Sequence, residues 1–200
     1  MHATSFFMVL MLIDTLLGRH TLHLTGGPII GFFAAWGWLL VHVVAMPIGV
    51  FVLAAQARTP GRRTPRTDRL PLFVAGPMLF AAGWLTALGV LLTIAPSWAL
   101  HGWPWAVSRF DVRALGAWCL TYALASWLTW REGDLDRARP GLAALVVTGL
   151  LGLVGLARYA GHLRDDPVAW LIVLVLVTLL GTGATGYLVA PLTGGDEQST

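Results

Sequence analysis

The sequence predicts an all-α bundle of transmembrane helices, with about six spans and both termini in the cytoplasm. Three observations support this prediction. Of the 200 residues, 56% are hydrophobic and only 12% are charged. The mean hydropathy is +0.73, and several apolar runs reach the roughly 20 residues that cross a hydrocarbon core. Because soluble domains carry about 25% charged residues, these values exclude an ordinary soluble domain and predict one membrane domain over the whole chain.

Six segments fit the spans of this bundle: residues 3–18, 29–55, 71–95, 113–130, 140–159 and 167–192. The first is interrupted by Asp14 and lacks the basic start and the cleavage site of a signal peptide. We therefore interpret it as a short span or as an interfacial helix, and in the second case the chain has five spans and an outer N-terminus. The second segment exceeds the length that the core requires, so we expect it to tilt or to bend at Pro47.

The arginines predict the orientation of the bundle. The chain has no lysine, and five of its 13 arginines lie in residues 56–70, between two spans. Short arginine-rich loops mark the cytoplasmic side, which places eight arginines inside and five outside. Although the pI is about 9.8, these residues adjoin apolar spans, where they orient helices and contact anionic lipid. We expect no nucleic-acid partner. The bias towards Arg, Ala, Gly and Leu favours a bacterial source, and hence the bacterial cytoplasmic membrane.

Glycines in the last two spans predict close helix contacts. Small residues let helix backbones approach in lipid, where the hydrophobic effect gives no drive for association. The same faces could instead form a dimer interface. The glycines concerned are Gly149, Gly152, Gly155, Gly181, Gly183 and Gly186.

A tryptophan-rich loop and the helix after it resemble a known pattern. The pattern occurs in small, uncharacterised bacterial integral membrane proteins, where a Trp-Pro-Trp loop precedes an Arg-x-x-Gly-Ala-Trp helix and an Arg-Glu pair opens the next loop. The resemblance covers about residues 96–190 and departs just before Arg113, where Phe110-Asp111-Val112 replaces a Thr-rich stretch. It implies a topology but no activity. The matching motifs are Trp103-Pro104-Trp105, Arg113 to Trp118, Arg131-Glu132-Gly133-Asp134 and Arg158-Tyr159.

His42 is the strongest single candidate for a functional residue. It lies in the middle of the second segment, and ionisable residues within a membrane are functional candidates by default. Three interpretations stay open: a neutral, hydrogen-bonded structural histidine, a contact for a proton or substrate, and an axial ligand of haem b. The third needs a second ligand, from Met78 or from a partner chain. Helical spacing gives His42 a face of mostly small residues that could admit a flat macrocycle, namely Ala35, Trp38, Ala45, Met46 and Gly49.

Two further groups of polar residues are candidates for substrate or cofactor binding. Span four has a polar stripe of Cys119, Tyr122, Ser126 and Thr129, which either holds helices together or lines a substrate path. Near the predicted outer surface, Arg109, Arg113 and Arg158 could pair with Asp14 and Asp111, or could form an anion-binding vestibule. In either group, pairing between helices is the simpler interpretation.

Histidines on the predicted outer side are weak candidates for a metal site. Imidazole and carboxylate are zinc ligands, but these residues come from separate loops, so a solvated rim is the competing interpretation. The residues are His20, His23, His101 and His162, with Asp14, Asp111, Asp165 and Asp166 nearby in the predicted topology. The motifs of P-loop enzymes, zinc proteases and serine hydrolases are absent from the sequence, and we predict no catalytic residue.

These observations favour three functions, in descending order. The first is a non-catalytic membrane subunit that binds lipid, another membrane protein or a second copy of itself. The second is a small transporter, either monomeric or dimeric, with His42 and the span-four stripe lining a cavity. The third is a haem-binding electron carrier. An enzyme is less favoured than any of these.

Overall fold

The computed structural model describes residues 2–18, 29–58, 70–103, 105, 107–162 and 167–193. Within these ranges the regular structure is helical, which confirms the all-α prediction. Seven α-helices are described, together with a short 3-10 turn at Ala160–His162. The α-helices are α1 (His2–Leu17), α2 (Ile29–Arg58), α3 (Leu72–Ile94), α4 (Pro96–Gly102), α5 (Arg109–Glu132), α6 (Leu135–Arg158) and α7 (Pro167–Thr193).

Four of the described helices contain a segment long and apolar enough to cross a membrane. These segments are Ile29–Ala55, Leu72–Ile94, Arg137–Arg158 and Ala169–Tyr187. Helix α1 is apolar but shorter, over Ala3–Leu17, and α5 carries a charged first turn and several polar side chains. The chain is therefore a helical membrane protein.

Capping residues set the start of two helices earlier than the apolar pattern does. At α5, the Ser108 N–H donates to Asp111 Oδ2 at 2.8 Å, and the Asp111 N–H donates to Ser108 Oγ at 3.2 Å. This reciprocal pair is a capping box, which satisfies backbone donors that have no partner inside the helix. At α6, the Arg137 N–H donates to Asp134 Oδ1 at 3.4 Å. Helix α5 consequently begins four residues before segment 113–130, and α6 begins five before segment 140–159.

The chain divides into two compact units. The first unit comprises Met1–Arg63, Ala87–Leu100 and Val107–Tyr122, and the second comprises Thr64–Thr86, His101–Ala106 and Ala123–Thr200. The first contains α1 and α2 with the end of α3 and the start of α5. The second contains the start of α3, the end of α5, α6 and α7. In the first unit α1 packs against α2, and in the second unit α6 packs against α7.

Glycines bring α6 and α7 together in the second unit. A Cβ added at Gly183 would lie 2.6 Å from the Leu142 carbonyl oxygen, and one at Gly149 would lie 2.7 Å from the Leu176 carbonyl oxygen. A Cβ added at Gly152 or Gly186 would meet the ends of the Leu176 or Leu142 side chain, which can move aside more easily than backbone. Gly155 and Gly181, by contrast, have open space at the Cβ position. Only some of the glycines in the predicted stripes therefore bring these two helices together.

A small apolar cluster joins the start of α3 to the start of α6 in the second unit. It consists of Val74, Met78, Leu135, Ala138 and Leu142, with Leu70 packed against it. Beside it, the Leu70 N–H donates to the Gly133 carbonyl at 3.1 Å. Gly133 has a φ of 63°, a left-handed conformation that glycine adopts without steric cost. The turn between α5 and α6 is thereby fixed.

Candidate functional site

Buried polar side chains in the described part of the first unit gather where α1 meets α2. The two helices run antiparallel, because Ser5 lies against Gly49 while Thr15 bonds to Trp38. Thr15 is 2% exposed. Its hydroxyl donates to the Met11 carbonyl at 2.6 Å and accepts the Trp38 Nε1–H at 3.0 Å. Both polar groups are thus satisfied within the helix pair.

His42 lies one turn further along α2 and packs against the same tryptophan. Its Nδ1 is 2.8 Å from the Trp38 carbonyl oxygen, and its ring lies 4.3 Å from the Trp38 ring, centroid to centroid. Because a carbonyl oxygen only accepts, Nδ1 carries the hydrogen of this bond. His42 is 4% exposed. The space beside Gly49, on the face expected to admit a macrocycle, is occupied by Ser5, whose Oγ would lie 2.8 Å from an added Cβ.

Asp14 is the most unusual group in this region. It is 4% exposed, and neither carboxylate oxygen has a hydrogen-bond partner among the described residues. A carboxylate removed from water without a partner carries a large desolvation cost. The side chain lies in the last turn of α1, adjacent in sequence to the Thr15 contact. Asp14 is therefore a group that still requires a hydrogen-bond donor.

An opposite charge near Asp14 comes from the first turns of α5. Arg113 and Asp111 both act electrostatically on the Asp14 carboxyl. Arg113 is half-buried, and its Nε is buried without a hydrogen-bond partner in the part of the chain described. Asp111 is exposed, and its Oδ2 accepts hydrogen bonds from the Ser108 N–H and hydroxyl. Among the described residues, the predicted pairing of Asp14 with an outer arginine is not made as a hydrogen bond.

Aromatic rings cover this end of the first unit. Phe110 lies 6.0 Å from Trp38 in an edge-to-face arrangement, and a Cβ added at Gly18 would lie 2.8 Å from Phe110 Cδ2. Gly18 thus allows α5 to approach the end of α1. We call the polar groups at this end, Asp14, Thr15, Trp38 and Arg113, the α1-end site.

The predicted span-four stripe is divided between the two units. Tyr122 stacks on Trp118 at 5.8 Å in the first unit. Ser126 belongs to the second unit, is 3% exposed and has a buried Oγ with no hydrogen-bond partner in the described chain. The Thr129 hydroxyl donates to the Ala125 carbonyl of its own helix at 2.8 Å. Cys119 is partly buried in the first unit.

The remaining candidates do not form a cluster in the described residues. Arg158 is exposed in the last turn of α6. Its positive charge there interacts favourably with the negative end of the helix dipole. His101 is exposed at the end of α4. The positions of His20 and His23, and the side chain of His162, lie outside the described part of the structure. Within that part, no group of three or more His, Cys, Asp or Glu residues could hold a metal ion.

The sequence did not identify Thr15 as part of this site, and it indicated Asp14 as a partner for an arginine or as a carboxylate near a weak metal site. The available signal was the adjacent pair Asp14-Thr15 inside an apolar run. Polar residues within a membrane segment usually face the protein interior, which is where the structure places both.

Comparison with known proteins returns no match to this chain, either among family models, among curated proteins or among solved structures.

Proposed function

We propose that this chain is a non-catalytic integral membrane protein that binds phospholipid along α2. The observation that carries the proposal is the surface of that helix. Among the described side chains of α2, only Ala35 and His42 are buried. The outward residues are predominantly large and apolar, among them Ile30, Phe33, Leu40, Ile48 and Phe51.

The size of these side chains favours lipid over a partner helix. Contacts between membrane helices are enriched in small residues, because backbones must approach closely to gain van der Waals energy. The α6–α7 contact of this chain follows that rule through Gly149 and Gly183. The outward surface of α2 instead presents long, branched and aromatic side chains, which acyl chains can follow without close backbone approach.

We further propose six spans in the bacterial cytoplasmic membrane, with both termini inside. Helix α5 has 24 residues, and a helix of that length extends about 36 Å, more than the hydrocarbon core requires. Helix α1 has 16 residues and is short for a span, which local thinning of the bilayer accommodates. The arginine distribution supports the orientation. The transporter and haem carrier stay predictions of lower rank.

Native mass spectrometry of the protein extracted in mild detergent tests lipid binding. We expect phospholipid adducts that survive exchange into a delipidating detergent. Phe33→Ala should reduce retention because it removes apolar area from α2. Phe80→Ala is the matched control, since Phe33 and Phe80 are each 66% exposed but Phe80 lies on α3. A wild-type protein free of adducts, or equal losses in the two variants, would contradict the proposal.

A further inference from the structure

We infer that the α1-end site binds the zwitterionic headgroup of a phospholipid with a primary ammonium, as in phosphatidylethanolamine. The inference rests on the proposed lipid-binding function and adds the identity of the headgroup. It is carried by two buried, unpaired polar groups of opposite charge in one compact unit, the Asp14 carboxylate and Arg113 Nε.

The Asp14 carboxylate determines the positive part of the ligand. An ionised carboxylate only accepts hydrogen bonds, and its two oxygens offer about four acceptor positions. None of these is used among the described residues, although Asp14 is almost fully buried. A primary ammonium provides three N–H donors and a compensating charge. A trimethylated ammonium has the charge but no donor, so it would leave the oxygens unsatisfied.

Arg113 determines the negative part of the ligand. A guanidinium donates through a planar set of N–H groups that matches the oxygens of a phosphate. The Arg113 side chain is half-buried, with Nε unpaired within the described structure. It therefore has a buried, unpaired donor, and the contact between Phe110 and Gly18 brings the start of α5 to the end of α1 that carries Asp14.

The two charges together select a zwitterion. A simple cation at Asp14 would be repelled by Arg113, and a simple anion at Arg113 would be repelled by Asp14 and by the exposed Asp111. A headgroup with both charges satisfies each residue with its opposite. Asp14 lies in the last turn of α1 and Arg113 near the start of α5. In the proposed topology these helix ends lie at headgroup depth. Helix α2, whose outward surface is apolar, packs against α1 through Trp38 and Thr15.

Competition between headgroups on the wild-type protein tests this inference without any substitution. Delipidated full-length protein is mixed with equal amounts of phosphatidylethanolamine, phosphatidylcholine and phosphatidylglycerol of identical acyl chains, and native mass spectrometry counts the adducts. We expect phosphatidylethanolamine to exceed each of the others by about tenfold, the factor that corresponds to one charge-assisted hydrogen bond. Equal occupancy by the three lipids would overturn the headgroup site but leave lipid binding intact. The absence of all adducts would refute the proposed function as well.

Substitutions then identify the residues responsible for the preference for phosphatidylethanolamine. Asp14→Asn and Arg113→Gln should each remove this preference by lowering the phosphatidylethanolamine adducts to the level of the other two lipids. Arg109→Gln is the matched control, because Arg109 lies one turn before Arg113 on α5 and is exposed. Preserved preference in both site variants would place recognition elsewhere. Soluble phosphoethanolamine should not displace the lipid at equal concentration. Displacement would show that the ligand is a free zwitterion and would overturn the assignment to lipid.

Discussion

Trp38 of α2 donates its indole N–H to the Thr15 hydroxyl of α1 at 3.0 Å, across the contact between the two helices. The Thr15 hydroxyl in turn donates a hydrogen bond to the Met11 carbonyl of its own helix at 2.6 Å. The chain of bonds satisfies the polar tip of a large aromatic side chain in an apolar environment. It also fixes the position of the ring on which His42 stacks.

Replacing Thr15 with Val should destabilise the protein modestly. Valine keeps the shape of threonine but leaves the Trp38 N–H without its acceptor. Hydrogen bonds between membrane helices contribute on average about 0.6 kcal/mol, with a maximum near 1.7, so we expect a loss of that order. Unfolding in mixed micelles, followed by near-ultraviolet circular dichroism, measures the change in free energy.

Thr178→Val is the control for this variant. The Thr178 hydroxyl is exposed and donates to the Leu174 carbonyl of its own helix at 2.7 Å. We expect a much smaller change there. Equal destabilisation of the two variants would indicate that the contact between α1 and α2 contributes nothing through this bond.

The α6–α7 contact should distinguish two glycines that lie two residues apart. At Gly183 an added Cβ would lie 2.6 Å from a carbonyl oxygen and 2.8 Å from the Val146 nitrogen. Backbone atoms cannot move aside cheaply, and overpacking of this kind costs about 1–3 kcal/mol. Gly183→Ala should therefore lower the thermal unfolding temperature in detergent. Gly181→Ala, with open space at the Cβ, should leave that temperature unchanged or raise it. The reverse order would show that α6 and α7 do not pack through Gly183.

Absorption spectroscopy tests the haem alternative. Protein purified from a haem-replete host should show only the tryptophan band if His42 is structural, as its bond to the Trp38 carbonyl suggests. A Soret band that sharpens on reduction and disappears in His42→Ala would instead identify a cytochrome. Spectra recorded before and after reduction decide between these outcomes.

Cysteine labelling in intact cells tests the proposed orientation. In a Cys119→Ala background, a cysteine at Thr64 should be protected from an impermeant thiol reagent, because the arginine-rich loop is expected in the cytoplasm. A cysteine at Ser97, an exposed position of α4, should be labelled. Reaction at position 64 would reverse the orientation, and labelling at neither position would call for permeabilised cells to establish that both thiols react.

The sequence by itself determined the class of this protein. Apolar runs of membrane length can satisfy their backbone groups in lipid as helices, and four such helices are present in the described chain. The ends of helices were less predictable, because they depend on caps such as Ser108 with Asp111. These caps are polar and lie outside the apolar pattern that marks a span.

Only the tertiary structure decided which small and polar residues meet. The stripes on α6 and α7 do not distinguish Gly183, which contacts the backbone of Leu142, from Gly181, which faces open space. Nor does the sequence show that the Asp14 carboxylate is buried and unpaired. Hydropathy depends on the composition of a segment, whereas burial and pairing depend on how helices distant in sequence pack together. The α1-end site, formed by α1, α2 and α5, follows from that packing.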